Sequence, residues 1–156
     1  MTALYTAGYR DAVTDKRLPA EEFYSALPPE AVLIDIRSNP YSPFAPDYTG
    51  SGVALAVERW KPGDKRFHHL RALGNVARDP TGKRHSPPVY VDPDAGFSQL
   101  EAYLREYRAV IIFCACSAST IDSETHRCHR FFVADTMLER MPGLRVVHLP
   151  INEADS

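Results

Sequence analysis

A chain of 156 residues with a formal net charge of −2 has the length of one domain and enough polypeptide for a single buried core. Its 44% hydrophobic and 24% charged residues are ordinary for a globular fold. The near-neutral charge excludes broad electrostatic attraction to nucleic acid or an anionic membrane, while leaving room for a local basic cluster.

No apolar run approaches the roughly 18 residues needed to span a bilayer. The opening MTALYTAGYR lacks the basic-then-apolar pattern of a secretory signal, and three cysteines, an odd count, suit a reducing compartment; the expected location is the cytoplasm. Thirteen prolines cluster at 28–29, 40–46 and 87–93, as in long ordered loops.

In chain order, Ala3 to Tyr9 reads as the first strand, with Gly8 permitting a sharp turn near its end. Pro19 suits a first helical residue, Glu21 and Glu22 favour that helix's positive end, and Pro28-Pro29 stops it. Ala31 to Ile36 is a second strand, with Asp35 and Arg37 at its exit. Ser38 to Gly50 is a proline-rich aromatic loop, and Val53 to Trp60 a short helix. Phe67 to Leu70 is a short strand, Gly74-Asn75 a turn signal, and Arg78 to Pro88 an exposed polar stretch. Phe97, Leu100, Tyr103, Leu104 and Tyr107 follow helical spacing. Ala109 to Cys114 is a continuous apolar run, which predicts a strand buried on both faces. After a polar loop, Cys128-His129-Arg130 opens a helix whose apolar side is Phe131, Phe132, Val133, Met137, Leu138 and Met141. Pro142-Gly143 ends it, and Leu144 to Pro150 is a last strand.

Strands alternating with helices imply a mainly parallel sheet with helices on its faces, a Rossmann-like three-layer α/β architecture, here as a single domain over residues 1–156. The C-terminal ends of parallel strands share one edge, where such proteins place their chemistry. Tyr9 and Arg10 leave the first strand there, and Asp35, Arg37 and Asn39 leave the second. Cys114 and Cys116 leave the central strand, facing the start of the Cys128 helix. Distant residues are therefore expected to converge on one polar cleft.

TAGYR, LIDIRSNPYSPFAPDY, FHHLRALGN and FCAC…CHR, in that order and over nearly the whole chain, resemble the domain of unknown function 488 family. That family carries no assigned activity, so the resemblance implies a compact α/β domain and a site but no reaction. The implied site draws on Gly8, Tyr9, Asp35, Arg37, Asn39, Pro40, Cys114, Cys128, His129 and Arg130. The segment Ser117 to Arg127, bearing Asp122, Glu124, His126 and Arg127, is longer than the family pattern.

Three chemistries suit this set. The leading expectation is a phosphate-bearing ligand, a nucleotide or a nucleic-acid end, held by Arg10, Arg37 and Arg130. Asn39 and Tyr9 would orient it, and His129 or Asp35 would move protons in a hydrolase or transferase. The bland alternative pairs Arg37 with Asp35 or Asp47; Asp35 and Arg37, two apart on a strand, share a face. The second chemistry is a cysteine-dependent transferase or hydrolase with Cys114 or Cys128 as nucleophile, since a helix N-terminus and arginines favour thiolate. Against a cysteine-phosphatase loop, Thr120 and Asp122 stand where an arginine is needed, and buried strand-end cysteines are commonly apolar filler. The third is a metal held by Cys114, Cys116, Cys128 and His129. Cys-x-Cys and adjacent Cys-His fit structural zinc spacing poorly. Neighbours at a helix start also point about 100° apart. No metal and no cofactor are therefore expected. A non-catalytic protein-interaction module, contacting partners through SNPYSPFAP, is the remaining class.

Overall fold

Apolar runs without alternation become strands covered on both faces, the arrangement that buries both sets of side chains. The computed structural model describes residues 2–11, 16–39, 46–78, 80–82, 87–117 and 128–149, with the backbone alone for 115–117. Five strands form one sheet: β1 Ala3–Arg10, β2 Val32–Asp35, β3 Phe67–His69, β4 Ala109–Ser117 and β5 Arg145–His148. Their order is β3-β2-β4-β1-β5, and every pairing between these strands is parallel. Helices α1 Ala20–Ser25, α2 Gly50–Trp60, α3 Pro93–Tyr107 and α4 His129–Arg140 flank it. This is the expected three-layer α/β fold, and its sheet is parallel throughout.

The two-residue period of the strands divides the core into two layers. Tyr5, Ala7 and Tyr9 of β1, Leu33 of β2, and Ile111 and Phe113 of β4 pack with Phe23 and Tyr24 of α1 and Val53 and Val57 of α2. Leu4, Ile34, Val110 and Ile112 face the other way, against Leu100 and Leu104 of α3 and Val133 and Met137 of α4. Val110, Ile111, Ile112 and Phe113 are all fully buried. Each is worth roughly 1.5–3 kcal/mol. The outer strand β3 is short and ends on exposed His69, which blunts that edge against pairing with other chains.

Several boundaries differ from the sequence expectation for identifiable reasons. Pro19 is the N-cap of α1, not its first helical residue, with extended backbone (φ −56°, ψ 139°). α3 begins at Pro93 because Asp92 caps it, its Oδ1 accepting from Ala95 N–H at 3.3 Å. α2 begins at Gly50 behind Thr49, and β4 runs past Cys114 to Ser117. On α4 the buried side is Phe131, Val133, Ala134 and Met137 together with His129 and Arg130, while Leu138 is exposed. Gly74 is not a left-handed turn residue: its φ is −65°, and a Cβ there would lie 2.3 Å from Ser38 Cα. Its requirement is close approach, which seats the exit of β2. Residues 40–45 of the proline-rich loop, and 79 and 83–86 of the polar stretch, lie outside the described residues. Among the described residues no helix is long and apolar enough to cross a membrane.

Candidate functional site

β1 and β4 are neighbours, yet their chains leave the sheet in opposite directions. β1 leads to α1 on one face, and β4 precedes α4 on the other. Such a divergence opens a crevice at the strand C-termini, the usual ligand position in open parallel sheets. Here Gly8 is in register with Cys114 and Arg10 with Ser117, with an irregularity between Gly8 and Arg10. Bulges of this kind re-aim side chains and terminate pairing near functional sites.

On the α3/α4 side, Cys114 follows Val110 and Ile112 in strand period and lies against the start of α4. The ligand atoms of Cys114, Cys128 and His129 all fall within 4.8 Å of one another, and all three residues are buried. Cys114 and Cys128 are thiols, not joined by a disulfide. The expected awkwardness of adjacent Cys and His does not arise. Cys128 is the N-cap of α4, with φ −59° and ψ 139°, so the helical 100° step does not separate it from His129, the first helical residue. His129 Nε2 donates to the Ile36 carbonyl at 3.1 Å. A carbonyl can only accept, so this bond fixes the proton on Nε2 and leaves the lone pair of a neutral ring on Nδ1. Phe131 packs on both cysteines, the fully buried Arg130 guanidinium lies 4.5 Å from the Phe131 ring centroid, and His148 meets that ring edge-on at 4.7 Å. His148 Nδ1 and Thr6 Oγ1 share a hydrogen bond of 2.7 Å. Thr6 and His148 escaped the sequence reading. A polar residue within an apolar strand was the available signal, but which strands are neighbours was needed to use it.

On the α1/α2 side sits a buried ion pair. Arg37 Nε and Nη2 donate to Asp35 Oδ1 and Oδ2 at 2.9 and 2.7 Å, and the Arg37 backbone N–H adds a third bond to Oδ1. Burial opposes the charge on Arg37, but Asp35 outweighs it and holds the guanidinium pKa above its ordinary value. The guanidinium carbon lies 5.7 Å from the Tyr9 ring and 5.1 Å from Phe113. Tyr9 is itself buried and stacks on Tyr48 at 4.1 Å. Tyr24 O–H donates to the Asp47 carbonyl and Tyr48 O–H to that of Leu18. Desolvation pushes both phenols well above their usual range. Arg37 is therefore engaged by Asp35, and Tyr9 belongs to an aromatic box around it.

Arg10, half-buried at the end of β1, lines a cavity of about 440 Å³ with the acids Asp11 and Glu22 and the apolar Phe23, Leu27 and Leu149. That volume suits a small ligand: a mostly apolar wall with few charged groups. Asn39 is exposed beyond β2. Pro40, the Cys116 side chain, and Asp122, Glu124, His126 and Arg127 lie outside the described residues. The sheet thus brings Arg10 and the Cys–His cluster to the same edge on opposite faces, with Asp35 and Arg37 paired off on the Arg10 side.

Neither the family models, nor the curated proteins, nor the solved structures contain a match to this chain. The class defined by fold and site is an all-parallel three-layer α/β protein with a cysteine–histidine cluster beside its β1/β4 crevice.

Proposed function

We propose that this protein binds a small phosphate-bearing molecule, a nucleotide or a nucleic-acid end, in the β1/β4 crevice. The observation that supports this is the divergence of β1 and β4 at the strand C-termini, with Arg10 and its cavity on one face of that edge and the buried Cys114, Cys128 and His129 cluster on the other. Arg10 is the arginine of the set that lines the cavity at this edge, whereas Arg37 is paired with Asp35. The cluster of two thiols and an imidazole at the same sheet edge favours group transfer or hydrolysis over passive binding. The shared DIRSNPYS and CHR segments support membership of the domain of unknown function 488 family. Two neighbouring thiols fit a reducing compartment, the cytoplasm.

Thermal unfolding with inorganic phosphate, pyrophosphate and nucleoside monophosphates tests this reading. A ligand at a hundredfold excess over its Kd stabilises by about 2.7 kcal/mol, or roughly 5–10 °C in Tm for a chain of this size. Arg10→Ala is expected to abolish the shift while leaving the unliganded Tm near that of the wild type. No shift with any of these anions, or an equal shift in Arg10→Ala, would remove the proposal.

A further inference from the structure

We infer that Cys114, Cys128 and His129 bind a divalent zinc ion. The inference assigns an ion to the same three side chains that the phosphate reading places at this sheet edge, and it rests on their own geometry rather than on that ligand.

Donor chemistry comes first. Two sulfurs and an imidazole nitrogen are soft-to-borderline donors, the set that selects zinc over magnesium or calcium. Geometry comes second. Tetrahedral bonds of about 2.3 Å to sulfur and about 2.0 Å to nitrogen place donor atoms roughly 3.6–3.8 Å apart. The observed limit of 4.8 Å is within a small rotamer adjustment of that spacing. The third strand is orientation. His129 donates Nε2–H to the Ile36 carbonyl, the kind of outer-sphere bond that metal-ligating histidines use to fix ring and tautomer, so that Nδ1 is the nitrogen that would serve as the ligand atom. Apolar filler accounts for two buried cysteines but not for a buried imidazole within ligand distance of both.

Charge balance agrees. Zinc displaces one proton from each thiol, both protons pass to water, and no electron moves. A dication with two thiolates and a neutral imidazole is electrically neutral, as an interior site requires. The described residues supply three donors, one fewer than a tetrahedral ion takes.

Metal analysis of the full chain and cobalt titration of the chelator-treated protein test the inference. One zinc per chain is expected as purified. Cobalt is expected to bind at one equivalent, with thiolate-to-metal charge-transfer bands and the intense ligand-field bands of four-coordination. Cys114→Ser and Cys128→Ser should each weaken cobalt binding at least about tenfold and reduce the charge-transfer intensity. If those variants fail to fold, the wild type decides, together with protection: zinc should slow iodoacetamide modification of Cys114 and Cys128 at least about tenfold. A folded, chelator-treated wild type that takes up no cobalt with thiolate bands would overturn the inference. The phosphate shift is read separately. Cobalt binding without it would sink the ligand proposal alone, and the shift without cobalt would sink the metal alone.

Discussion

Asp35 and Arg37 show how much one residue can owe to another. Both are nearly inaccessible, and the carboxylate takes three hydrogen bonds from Arg37. Removing one partner strands the other charge without water, whereas replacing both with apolar residues avoids the desolvation cost. Asp35→Ala is expected to cost about 3–5 kcal/mol and lower Tm by roughly 10 °C. Asp35→Leu combined with Arg37→Met should recover most of that loss. Urea denaturation of the singles and the double checks this; strictly additive losses would show that the pair is not coupled. The pairing itself was legible, because residues two apart on a strand share a face. That Tyr9 and Phe113 enclose the pair was not, since sequence spacing gives neighbours along a strand and says nothing of what lies across the sheet. The same limit explains Cys128 and His129. Their helical phase argued against convergence, and an N-cap residue has no helical phase.

At the scale of elements, local signals located strands and helices better than their ends. The apolar run from Ala109 gave β4, and helical spacing gave the second half of α3. The true start of α3 lay in a signal of another kind: Asp92 followed by Pro93, a side-chain acceptor and a first-turn residue without an N–H. Apolar periodicity cannot see a capping turn, because those residues face water. The cap has a measurable consequence. Asp92→Ala is expected to lower stability by about 1 kcal/mol, whereas Asp92→Asn or Asp92→Ser should hold it within a few tenths of that of the wild type. The phosphate-induced Tm shift should be the same in all three, since no residue of α3 lines the Arg10 cavity. A loss in Asp92→Ala below about 0.3 kcal/mol would mean that the Ala95 hydrogen bond contributes little.

For the whole molecule, the convergence of strand exits on one edge follows from parallel pairing, which the strand–helix alternation announced. The order β3-β2-β4-β1-β5 did not follow, because the pattern within a strand carries no record of which strand lies beside it. That order places the arginine and cysteine groups on opposite faces of the same edge. Both faces also bury tyrosine, and this sets the molecule's response to alkali. Tyr24 and Tyr48 lie in one layer and Tyr90 borders the other. Burial raises the pKa of all three above the ordinary tyrosine value of 10.0, that of Tyr90 to about 12. A pKa raised in the folded state means that the native protein holds the proton longer than the unfolded chain. Its stabilising contribution is therefore complete below pH 10 and is lost as pH climbs from 10 towards 12. Lys61 works in the opposite sense. Burial lowers its pKa below 10.5, so its contribution grows as pH rises towards that value. Three tyrosines oppose one lysine, and the tyrosine window extends higher. Urea midpoints are expected to change little between pH 7 and 9 and to fall steeply above about pH 10, with phenolate absorbance from these tyrosines appearing together with unfolding. Full phenolate absorbance near pH 10 in a chain that keeps its native circular dichroism would show that these side chains are not sealed in the two layers.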